Sequence, residues 1–185
     1  MNGHLSIPAI EQRLQAVAKE LADYCMAVDQ DLFFHQPPGK WSAAQQVKHL
    51  VTATNTAKMA LVLPKFIVRW VGGTPNRSSR RYDELVARYQ SKLEQGGKAR
   101  GRYIPAPVPA AYGKEKLLQE FTTAMHRFAT AFRQRWQESQ PDAFIVPHPL
   151  LGKITVRELC YFTIYHTLHH LHSIRTLTTT PVPAL

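Results

Sequence analysis

The sequence predicts an all-α fold: a four-helix bundle with one short accessory helix. Apolar residues recur at spacings of three and four through four long stretches. Two of those stretches open on Ser/Thr-x-x-Gln/Glu, the sign of a capped helix start. No strand pairs, hairpin signals or internal repeats are legible. With 185 residues, 44% of them hydrophobic, the chain suits a single domain, 1–185, with a sizeable core.

The first helix follows from Ile10, Leu14, Val17, Leu21, Cys25 and Val28, which place Pro8 to about Gln30 on one amphipathic helix with proline in its first turn. Phe33 to Lys40, containing Pro37, Pro38 and Gly39, then breaks the chain. The second helix opens at Ser42-Ala-Ala-Gln45, where the serine oxygen accepts from a free backbone N–H and the glutamine reaches back. It carries Val47, His49, Leu50, Val51, Ala53, Ala57 and Leu61 up to Pro64, and restarts through Val71 until Gly72 and Gly73 stop it.

Tyr82 to Leu93 makes the accessory helix, ended by Gly96 and Gly97. The loop from Lys98 to Gly113 mixes glycine, proline and basic residues; it is too irregular for the core and is placed to border a site. Leu117, Phe121, Ala124, Met125, Phe128, Phe132 and Trp136 put Lys114 to about Gln137 on a long core helix. A turn segment with Pro141, Pro147, Pro149 and Gly152 leads to the last helix, opened by Thr155-Val-Arg-Glu158. Its inward face is expected to hold Leu159, Phe162, His166, His170 and Leu177.

Composition excludes several classes. Met1 to Ile10 lacks the basic start and apolar run of a signal peptide. Met59 to Val71, the longest apolar stretch, is interrupted by Pro64, Lys65 and Arg69 and falls short of the ~20 residues a membrane span needs. A soluble, cytoplasmic protein is expected. Cys25 and Cys160 have no Cys-x-x-Cys spacing and read as buried free thiols, with Cys160 close enough in sequence to approach the histidines. The net charge of +10 invites a nucleic-acid reading. The basic residues nevertheless scatter over Arg77, Arg80 and Arg81, then Lys98, Arg100 and Arg102, then Arg127, Arg133 and Arg135, with no groove-reading module. They fit a solvated surface, or one that attracts an anionic small molecule.

The chemistry concentrates in Tyr165-His-Thr-Leu-His-His-Leu-His172. Residues four apart on a helix are offset by about 6 Å and roughly 40°, so His166 and His170 point the same way, while His169 and His172 point elsewhere. Such a pair grips a metal ion, and it also arises as one hydrogen-bonded core imidazole beside a solvated one; the pair alone does not choose. If the second and last helices are neighbours, His49 reaches the pair and completes three neutral nitrogen ligands, leaving one position open to water or a thiol.

Two stretches also resemble a known family. Gly39-Lys-Trp-Ser-Ala-Ala-Gln-Gln-Val-Lys-His-Leu50 and His148-Pro-Leu-Leu-Gly-Lys-Ile-Thr-Val-Arg-Glu158, running on to His166-Thr-Leu-His-His170, are similar in order and spacing to the DinB-like bundles. The resemblance implies an up-down-down-up bundle, often homodimeric, with His49, His166 and His170 holding zinc, nickel or a similar divalent ion. Some members of that family transfer a low-molecular-weight thiol, such as bacillithiol or mycothiol, to small electrophiles. A metal-dependent thiol S-transferase is therefore the first expectation, with a small thiol cosubstrate and an electrophile as partners and neither membrane nor nucleic acid.

The alternatives are a metal-dependent hydrolase and a non-catalytic metal-binding or ligand-binding stress protein. Hydrolysis needs a general base, and Glu158 is better explained by capping. Trp41 is read as a packing residue at the helix entry, with a site-lining role as the alternative, His148 as a surface or loop-bonding residue, and His169 as the fallback ligand. Lys98, Arg100 and Arg102 are solvated charges, or attract an anionic thiol or substrate.

Overall fold

Seven α-helices, three single-turn 3-10 helices and one small hairpin are found in the computed structural model, which describes residues 4–179; residues 1–3 and 180–185 of the expected domain lie outside it. In chain order the elements are α1 (Ile7–Ala27), α2 (Gln30–Phe34), α3 (Ala43–Val62), α4 (Lys65–Gly72), α5 (Tyr82–Glu94), α6 (Lys114–Arg135), β1 (Ile145–His148), β2 (Gly152–Thr155) and α7 (Val156–Thr179). The fold is all-α, as its sequence pattern predicts.

Capping fixes the ends that position the histidines. Gln45 N donates to Ser42 Oγ at 3.1 Å and Ser42 N to Gln45 Oε1 at 2.9 Å, so α3 starts from a complete capping box. Thr155 and Glu158 repeat the device before α7: Glu158 N donates to Thr155 Oγ1 and Thr155 N to Glu158 Oε2.

The four long helices run up, down, down and up. Leu5 N donates to the Tyr161 hydroxyl and Tyr24 shares a hydrogen bond with Thr178, so α1 and α7 are parallel. Lys48 pairs with Glu120 and the Trp136 indole donates to Leu61 O, so α3 and α6 are parallel as well. Glu11 meets Arg133 while Lys114 donates to the carbonyls of Met26 and Val28, which makes α1 and α6 antiparallel. Because α3 and α6 point the same way, a long crossover must join them; it holds α4, α5 and the loop 95–113. Phe33, Phe121, Phe128, Phe132 and Tyr161 are the largest fully buried side chains at the centre.

Three expectations need correction. The first helix ends at Ala27, because Asp29 accepts from the backbone of Asp31 and Leu32 and caps the separate short helix α2. The proline-bearing turn before α7 contains an antiparallel hairpin, with Ile145 opposite Thr155 and His148 opposite Gly152. Its strands are four residues long and its loop lacks an Asn-Gly pair, so neither usual signal is present. Leu177 is only half-buried, and Ile174 fills the inner position near the end of α7.

Candidate metal centre

His49 lies two turns into α3, and the antiparallel packing of α3 on α7 sets it against the first turns of the late histidine run. His49 Nε2 is 3.1 Å from His166 Nε2, and His170 Nε2 is 3.2 Å from the same atom. The three side chains are buried, at 6%, 6% and 7% exposure, and their ligand atoms all lie within 4.8 Å of one another.

Two of the outer ring nitrogens are fixed by neighbours. His49 Nδ1 donates to the backbone carbonyl of Tyr103 at 2.6 Å, and a carbonyl can only accept, so His49 Nε2 carries a bare lone pair. His170 Nδ1 lies 3.0 Å from Gln46 Oε1 and donates to it, which bares His170 Nε2 in the same way. Both lone pairs converge on His166 Nε2, where a single proton satisfies one of them and leaves the other buried without a donor. One cation satisfies all three. Ligands about 2.0 to 2.1 Å from a tetrahedral zinc stand roughly 3.3 Å apart, so the donor set fits such an ion. Burial pushes the pKa of His166 and His170 well below the ordinary value, and the neighbouring imidazoles push in the same direction. His49 is lowered by burial against the opposing pull of the Tyr103 carbonyl. Neutral imidazoles are the form that binds metal.

A family model of the DinB superfamily matches residues 9–174. The chain belongs to the DinB superfamily. No curated protein and no solved structure matches it.

In this DinB-superfamily bundle the triad forms one end of a cavity of about 570 Å³ between α3, α4, α5, α7 and the hairpin. Trp41 takes the site-lining role, the alternative to packing at the helix entry: its ring is tilted 5.2 Å from that of His49 and stacked 6.4 Å from that of His170. His169 also lines the cavity, edge-on to Tyr89, but it stays outside the converging set. His148 is part-buried and packs on Phe162 at 4.2 Å, rather than lying on the surface. Its Nδ1 accepts from Leu150 N and Leu151 N, the loop-bonding role, and burial lowers its pKa to about 4.

The basic groups divide. Lys98 and Arg100 line the cavity mouth, whereas Arg102 does not. Arg77 belongs elsewhere: it donates to both oxygens of the fully buried Glu158, at 2.6 and 2.8 Å. Desolvation disfavours the Glu158 carboxylate, yet Arg77 and the backbone N–H groups of Arg80 and Thr155 hold its pKa below the ordinary value. Cys160 is fully buried and absent from the cavity lining; burial pushes its thiol pKa well up, leaving it inert.

Sequence reading missed Tyr103 and Gln46. Tyr103 contributes a backbone carbonyl, which no side-chain motif reveals. Gln46 follows the capping glutamine and looks like ordinary helix surface until α7 covers it.

Proposed function

We propose that the bundle is a metal-dependent S-transferase that joins a small thiol to a small electrophile. The observation that carries this reading is the meeting of three neutral imidazoles, two of them with their outer nitrogens fixed, at the end of a mainly apolar cavity. His49, His166 and His170 would hold a divalent ion such as zinc or nickel, which when bound would supply the Lewis acidity that lowers the pKa of a thiol. The chain's own residues do the rest. Tyr103 O and Gln46 Oε1 hold the imidazoles in the ligating tautomer. Trp41 and Phe162 shield one side of the triad from water, and the apolar walls receive the electrophile.

Hydrolysis has weaker support. No Asp or Glu among the described residues lines the cavity, and Glu158 is already engaged by Arg77, Arg80 and Thr155.

The test is metal analysis of untagged protein beside His49→Ala and His166→Ala, followed by assay of electrophile consumption with and without thiol. One equivalent of metal in the wild type, its loss from both variants, and thiol-dependent turnover abolished by chelator are expected. Equal metal content in all three proteins overturns the site, and thiol-independent turnover overturns the transferase.

A further inference from the structure

The cavity is far larger than a metal site requires. Its volume of about 570 Å³ is roughly four times the ~150 Å³ that accommodates benzene, and it sits within the range of small-molecule sites. Its shape is set by sequence. Ala53, Ala57 and Ala60 stand at i, i+4 and i+7 beyond His49 and line the cavity together with Thr56, so this face of α3 carries small side chains where larger ones would fill the space. From His49 to Ala60 the helix rises about 16 Å, which makes the cavity a trough leading away from the triad. Val68 of α4 and Ile145 of β1 line it further along. An unfilled apolar trough weakens a fold, so its retention calls for an occupant.

Charge identifies one end of that occupant. Lys98 and Arg100 line the mouth on the segment leading to Tyr103, whose carbonyl holds His49. Neither makes an ion pair among the described residues, whereas Arg77, Arg80 and Arg81 all do. No carboxylate among the described residues lines the cavity to oppose them.

We infer that the cavity binds an anionic amphiphile, its acidic group at Lys98 and Arg100 and its apolar tail along Ala53, Ala57 and Ala60. Binding rests on the cavity alone; the role of this molecule as the electrophile rests on the transferase reading.

Calorimetric titration with decanoate and with decan-1-ol, on chelated and on zinc-loaded protein, tests the assignment. Decanoate is expected to bind about fivefold more tightly than the alcohol, the difference that one weak charge interaction provides. Lys98→Ala combined with Arg100→Ala should remove that gap and leave alcohol binding unchanged. Ala57→Phe and, separately, Ala60→Phe should weaken both ligands about tenfold by filling the trough, with melting temperature and metal content close to wild type. Two variants are used so that one repacking failure does not decide the result. Equal binding of acid and alcohol to the wild type, or undiminished binding in both phenylalanine variants, overturns the inference. Decanoate binding by a protein that takes up no metal sinks the transferase reading and sustains the ligand assignment; metal uptake without decanoate binding does the reverse.

Discussion

His49 and His166 face each other Nε2 to Nε2 at 3.1 Å, although 117 positions separate them in the chain. Each is supplied by a helix whose start is fixed by a capping box, so the meeting of the two imidazoles depends on the register set at Ser42 and Thr155. Two buried ring nitrogens this close need a shared proton or a shared cation, and the third imidazole of His170 makes the cation the better fit.

Metal should therefore stabilise the folded bundle. At a free zinc concentration 100 times Kd, linkage adds about 2.7 kcal/mol, which for a chain of this size raises the melting temperature by several degrees. Thermal denaturation with zinc and with chelator measures it. His166→Ala should abolish the shift, and a shift of wild-type size in that variant would place the ion elsewhere.

Gln46 holds His170 and should tune metal affinity without touching the ion. Gln46→Leu removes the acceptor for His170 Nδ1 and should weaken binding about 10- to 100-fold, the usual effect of losing a partner behind a ligand. Competition against a chromophoric chelator reads the change. Gln46→Glu, which keeps an acceptor oxygen there, should retain most of the affinity, and equal loss in both variants would assign Gln46 to packing.

Acid should destabilise the metal-free protein through its buried histidines. His148 has its pKa lowered by burial from 6.5 to about 4, so the unfolded chain takes up a proton in a range where the folded chain does not. The associated stability is complete above about pH 6.5 and drains away as the pH falls toward about 4, at up to ~1.4 kcal/mol per unit. His166 and His170 are shifted in the same direction. Protonation also removes the Nδ1 acceptor for Leu150 N and Leu151 N. Urea unfolding of chelated protein between pH 7 and 4.5 should show the loss, and His148→Asn, which offers an oxygen near the same place, should flatten it. An unchanged slope in that variant would remove His148 from the account.

Glu158 anchors the crossover segment to α7. Glu158→Ala leaves the acceptors of Arg77 and of Arg80 N missing and should cost about 3 kcal/mol. Chemical denaturation measures the loss. Wild-type stability would show that the pair is dispensable.

What the sequence made legible was local. Ser42 with Gln45 and Thr155 with Glu158 act within four residues, and His166 with His170 within one helical turn, so spacing alone exposes them. The rest depends on contacts between distant segments. Tyr103 reaches His49 through a backbone carbonyl, and Arg77 reaches Glu158 across 81 positions, leaving no pattern in either stretch. The hairpin strands Ile145–His148 and Gly152–Thr155 were hidden because Pro147 interrupts the first and a histidine side chain, rather than a glycine-rich turn, ties the loop between them. Trp41 left the choice open for a related reason: an aromatic residue before a helix cap packs by default, and its approach to the imidazoles of His49 and His170 depends on how α3 and α7 come together.

The closing of the trough can be tested with two glycines that differ in the reason a side chain is refused. A Cβ on Gly72 would sit 1.7 Å from the carbonyl oxygen of Ile145, so the end of α4 lies directly on β1 and no rotamer relieves the overlap. Gly39 has open space around it but a φ of 70°, a backbone that disfavours any side chain. Gly39→Ala should thus cost about 1 kcal/mol by backbone strain alone. Gly72→Ala must drive α4 away from the hairpin and should cost clearly more, about 3 kcal/mol, the upper end of what overpacking costs. The triad lies at the other end of the trough, so folded Gly72→Ala protein should keep its metal while losing affinity for an apolar ligand that reaches Val68 and Ile145. Parallel denaturation, metal analysis and decanoate titration of the two variants separate these effects. Equal destabilisation by the two alanines would show that the contact between α4 and the hairpin is loose, and that the far wall of the trough is not fixed by it.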